Sequence, residues 1–173
     1  MRNRNWTAKG LTLSGTLLAL AMVFLYSASI IPGIELTLFL AASLLVSAVI
    51  IEIGPAAGWT FYAASAFLGF LLIPNKAALL PYVLFFGVYG VLKYHIETLH
   101  RLTLEIVLKL VYFNLAFGMG FFLFRELLFK SIQLPDFPDA ILLLLANGFF
   151  LFYDSVYTQI ISFYLKRIHS HLR

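Results

Sequence analysis

Six apolar stretches, joined by connections too short to hold a second domain, take up almost the whole of this chain, and that alternation fixes the solvent before any residue is considered singly. A helix rises about 1.5 Å per residue, so crossing about 30 Å of hydrocarbon takes about 20 apolar residues. The stretches fall at about 11–31, 35–53, 58–73, 77–92, 104–124 and 140–165 of 173 residues. They predict an all-α, polytopic membrane protein: one transmembrane domain over residues 1–173, folded as a six-helix bundle in a cell membrane. The charge content agrees, since only 12% of the residues are charged, against about 25% in an ordinary soluble domain.

The breaks between spans have local causes. Pro32-Gly33 ends the first, because proline lacks a donor and glycine tolerates unusual dihedrals. The run from Leu11 to Ile31 is too long for the apolar region of a secretory signal and lacks a convincing small-x-small cleavage site before Pro32, so it is expected to stay as the first helix. Spans three and four are short for a membrane, and Pro81 makes the fourth the one expected to be tilted, broken or re-entrant. The run Lys93 to Arg101, with His95, Glu97 and His100, reads as a polar connection that a partner protein could recognise.

Basic residues set the orientation. Arg2, Arg4, Lys9, Lys93, Arg101, Lys166, Arg167 and Arg173 share one side of a six-span layout, against Lys76, Arg125 and Lys130 on the other. The positive-inside rule then predicts cytoplasmic N- and C-termini. A net charge of +4 therefore reports topology, and no nucleic-acid partner is expected.

Catalysis finds no foothold. There is no cysteine, no phosphate-binding glycine loop, no Gly-x-Ser-x-Gly elbow and no His-Glu-x-x-His helix. The histidines His95, His100, His169 and His171 fall in a connection and a tail, so neither a metal site nor a cofactor is expected. No enzyme is expected.

Polar groups inside spans five and six are different, because an ionisable side chain in hydrocarbon is expensive and normally faces a partner or a cavity. Lys109 follows Glu105 by four residues, so the two can pair along one helix face. Asp154 lies about 16 Å by helical rise from the end of span six, too deep for a short side chain to reach the interface. Lys109 is a possible partner on a neighbouring helix. Asn147, Asp154 and Thr158 recur at seven and four residues, forming one stripe that must face protein, and Asn114 on span five can meet it. Tyr82, Tyr112 and Tyr153 add groups able to stack on a flat ligand. The candidate solute-binding set is Asn114, Asn147, Asp154, Tyr82, Lys109 and Arg125, under a connection running from Lys130 to Asp139.

Small residues four apart mark close-packing seams: Gly15 and Ala19, Ser43 and Ser47, Ser65 and Gly69, Ala116 and Gly120. With six spans, a basic N-terminus and the first-helix run Leu13-Ser14-Gly15-Thr16-Leu17-Leu18-Ala19-Leu20-Ala21, the chain resembles the substrate-binding S component of energy-coupling factor transporters. That resemblance implies both termini in the cytoplasm and a vitamin-like solute held toward the outer half. It also implies a first helix that docks on a transmembrane coupling protein served by separate ATPase subunits. The docking positions would be Gly15 and Ala19. The expectation is a solute-binding subunit for uptake; the alternative is a non-catalytic structural or assembly protein of the cell envelope, whose polar residues only knit the bundle.

Overall fold

A computed structural model describes residues 8–128 and 139–166; within that range the side chains of residues 121–140 and 142 are left aside. The described chain is helical and contains no strand. In chain order the helices are α1 (Ala8–Ile30), α2 (Glu35–Glu52), α3 (Pro55–Leu72), α4 (Lys76–Glu97), α5 (Leu102–Leu128) and α6 (Asp139–Tyr164). The first four, and α5 over Leu102–Gly120, are each long and apolar enough to cross a membrane. Phe67, Phe70 and Leu71 on α3 and Leu144 and Phe152 on α6 are among the most exposed side chains. Water does not tolerate such a continuous apolar exterior, whereas lipid covers it without cost. The architecture is that of a multi-pass membrane protein.

The chain divides into two compact units, Met1–Lys109 and Leu110–Arg173, with the boundary inside α5. In the first unit α2 is central, packing against α1, α3 and α4, while α1 also packs on α3. Its core joins Ala21 of α1, Val46, Val49 and Ile50 of α2, Ala57 and Phe61 of α3, and Val91 of α4. Gly58 sets the α2–α3 approach, since a Cβ there would overlap the Ile50 side chain. In the second unit the ring of Phe113 on α5 stacks on Phe150 of α6, centroids 4.6 Å apart and 9° from parallel.

The turns follow from sequence. Gly33 takes φ +91° after Pro32, and its N–H donates to the Glu35 carboxylate at 2.8 Å, which links the turn to the first residue of α2. Gly54 takes φ +133° and hands the chain to Pro55 at the start of α3, a position where the missing donor costs nothing. Lys76 folds back to donate to the carbonyls of Phe70 and, at 2.7 Å, Ile73, so an ammonium caps the open end of α3.

Two boundaries that bear on the site differ from expectation. Helix α3 starts at Pro55 instead of Gly58, which gives it 18 residues. Helix α4 runs to Glu97 instead of Leu92, with Lys93 buried and paired to Glu97 one turn on. Lys93, His95 and Glu97 are thus helical, and only residues 98–101 connect to α5. Irregularity in the fourth span is present as a π-helical turn over Tyr82–Phe86 directly after Pro81.

Candidate functional site

Polar side chains inside the helical layers gather in three places. The first is ionic. Glu97 Oε1 lies 2.6 Å from Lys93 Nζ one turn back on α4 and 2.8 Å from Lys109 Nζ on α5. The Lys93 and Lys109 side chains are 2% and 8% exposed, whereas Glu97 is 38% exposed. Lys93 also stands 6.0 Å from the centre of the Tyr89 ring, whose face favours a cation. One carboxylate thus bridges two ammonium groups that would otherwise repel each other. Sequence spacing offered Glu105 as the partner of Lys109; the geometry brings Glu97 to it from another helix.

The second place surrounds the π turn. Gly87 N–H bonds the Tyr82 carbonyl, five residues back instead of four. The Val83 carbonyl, released from its usual α-helical donor, accepts the Tyr62 hydroxyl of α3 at 2.9 Å. The Phe86 carbonyl accepts the Ser43 hydroxyl of α2 at 2.5 Å. Ser65 Oγ donates to the Tyr62 carbonyl at 2.9 Å and lies 2.7 Å from the Tyr82 hydroxyl. A serine has one proton to give, so Tyr82 is the donor in that last bond. The Tyr62 hydroxyl thus satisfies the carbonyl that the irregular turn releases, as hydrocarbon requires, and Ser43 adds a second tie at the end of the turn. Tyr82 is fully buried, with its hydroxyl committed to Ser65.

The third place lies in the second unit. Asn114 Nδ2 donates to Asn147 Oδ1 at 2.8 Å, and Asn147 Nδ2 donates back to Asn114 Oδ1 at 3.1 Å. The second N–H of each amide goes to its own helix, to the Leu110 and Leu143 carbonyls at 2.8 Å. All four amide donors are used within the pair and its two helices. The Phe113–Phe150 stack adjoins it in sequence on both helices. Asp154 is half-buried, and its backbone carbonyl accepts the Thr158 hydroxyl at 2.7 Å.

Of the expected site residues, the structure joins Asn114 to Asn147 and gives Lys109 a carboxylate. Tyr82 is bonded to Ser65 within the first unit. Arg125 lies on α5 with its side chain outside the described residues, as does the connection from Lys130 as far as residue 138. Gly15 and Ala19 are exposed on α1, and a Cβ added at Gly15 would meet nothing within 4 Å. The seams at Ser43 and Ser47 and at Ser65 and Gly69 are buried. Among the described residues, no three or more His, Asp or Glu side chains converge as a metal site.

Sequence reasoning missed Tyr62, Lys93 and Glu97. The i, i+4 spacing of Lys93 and Glu97 was the available signal, hidden by ending the span at Leu92. Nothing in the sequence marks Tyr62. Compared with known proteins, the chain matches no family model, no curated protein and no solved structure.

Proposed function

We propose that this chain is a small, non-catalytic membrane subunit that works by association, with α1 as its docking helix and a small polar solute as its cargo. The observation that carries this is the outward face of α1. Gly15 and Ala19 are open there, while Ala21, Leu25 and Ala28 are buried in the bundle. A small-residue face lets a second helix backbone approach closely, which is how membrane helices associate without help from the hydrophobic effect. The excess of Lys and Arg near residues 2–9, 93–101 and 166–173 supports cytoplasmic termini in a cell membrane. Uptake would then be driven by a separate ATP-hydrolysing module behind a transmembrane coupling protein, as the resemblance to S components implies.

A second function has its own support. The saturated Asn114–Asn147 pair favours a structural or assembly protein whose polar groups hold helices together. Native mass spectrometry of the chain gently purified from its own host tests both. A co-purifying membrane protein that Gly15→Leu abolishes, together with a bound metabolite, supports the transport subunit. A co-purifying membrane protein without a metabolite supports assembly, and a chain carrying lipid alone refutes docking through α1.

A further inference from the structure

Two hydrogen-bond ladders compete at the middle of α4. In α register Gly87 N–H would bond the Val83 carbonyl; here it reaches back to Tyr82, and Val83 is taken by the Tyr62 hydroxyl. Upstream, Pro81 has no N–H, so no ladder bond runs from it to the Ala77 carbonyl and the half of α4 ahead of the turn is one backbone bond short. Downstream, the half from Gly87 to Glu97 is anchored by Ser43 on the Phe86 carbonyl and by Glu97 on Lys93 and Lys109.

We propose that α4 is a two-register helix in which the Tyr62 and Ser65 hydroxyls latch the π form. Conversion to the α form exchanges the Tyr62–Val83 bond for a Gly87–Val83 bond. The half of α4 ahead of the turn then advances by one residue, a rotation of about 100° and a rise of about 1.5 Å. The buried places now held by Leu79 and Tyr82 pass to Leu80 and Val83. Tyr82 can leave only when its bond to Ser65 opens, so the two hydroxyl contacts act on the same movement. Irregular turns of this kind mark functional movement in helices, and here the movement changes which side chains residues 76–82 present to the bundle.

The chain contains no cysteine, so single substitutions report α4 without a background. Leu79→Cys and Leu80→Cys are labelled with a methanethiosulfonate reagent in the purified full-length protein. With the native hydroxyls present, Leu79→Cys reacts slowly and Leu80→Cys faster, since Leu79 is 2% exposed and Leu80 only half-buried. Adding Tyr62→Phe is expected to raise the first rate and lower the second, changing their ratio about fivefold, the effect of losing one net hydrogen bond. Ser65→Ala is expected to act in the same direction and decides the matter if Tyr62→Phe does not elute as a folded species. A folded variant with an unchanged ratio overturns the proposal. So does a parallel rise in both rates, which would mean that α4 had loosened without changing register.

Discussion

Gly87→Ala is the sharpest test of how the first unit is packed. A Cβ at Gly87 would stand 2.8 Å from two carbons of the Tyr62 ring and 2.9 Å from Cζ of Tyr82. Carbon atoms pack at about 3.5–4.0 Å, so at least one ring must move by more than half an ångström. Neither is free to swing, because Tyr62 is bonded to the Val83 carbonyl at 2.9 Å and Tyr82 to Ser65 at 2.7 Å. Overpacking of this kind costs about 1–3 kcal/mol. Loss of one net hydrogen bond adds about 1 kcal/mol. The helix propensity gained on replacing glycine by alanine returns about 1 kcal/mol, leaving a net destabilisation of about 1–3 kcal/mol. Thermal unfolding of the detergent-purified protein, followed by loss of the monodisperse species, reads this as a fall of several degrees. Gly15→Ala is the matched control, since a methyl there meets nothing and only the propensity gain applies. If Gly87→Ala melts at or above the unsubstituted protein, the close contact at the π turn is absent and the hydroxyl account of that turn fails with it.

The remaining predictions concern the other polar groups. Asn114→Leu or Asn147→Leu alone leaves one amide in the hydrocarbon without its partner and should cost about 1–2 kcal/mol, whereas the double substitution should recover much of that loss in a double-mutant cycle; additive losses would mean that the two amides do not meet. Glu97→Gln weakens the ion pairs of two ammonium groups and Lys109→Met removes only one of those pairs, so the first should lower the melting temperature more, by about 1–3 kcal/mol in stability terms; the reverse order would mean that Glu97 is not the main support of Lys93. Gly15→Leu should leave the melting temperature unchanged while abolishing co-purification of the α1 partner, because the site faces outward in the isolated chain.

The number and order of helices were legible because a span is a length of apolar residues, and length survives local error. Helix ends were less so. The notion that charge ends a span placed the close of the fourth at Leu92, yet the helix continues through Lys93 and Glu97, which pair with each other one turn apart, and Glu97 also meets Lys109. Pro81 announced an irregular fourth span, since a missing N–H is visible in sequence; that the irregularity is a π turn goes with Tyr62, whose hydroxyl meets the released Val83 carbonyl from 21 residues away. The meeting of Asn114 with Asn147 was legible for the same reason as the spans, because an amide in hydrocarbon has to find a partner. Tyr82 was read as a surface for stacking, and only its burial and its bond to Ser65 reveal an internal role.

The saturation of the asparagine pair limits the kind of solute that could use it. Every side-chain amide N–H of Asn114 and Asn147 already has an acceptor, so a ligand acceptor gains no bond there without breaking one. A single hydroxyl or carbonyl could replace only half of what the reciprocal pair provides, and the other half would be left unmet in a medium that offers no water. A ligand bearing adjacent donor and acceptor groups could open the pair at nearly constant hydrogen-bond count, one bidentate face for another. Its affinity would then come from the apolar area it buries, for which the stacked Phe113 and Phe150, on the same two helices as the pair, offer an aromatic surface. Discrimination, by contrast, would come from the amides, because a solute without the matching face leaves two polar groups unpaired. A solute at this pair is therefore expected to be planar and amide-like, and a flat hydrocarbon or a simple sugar is not.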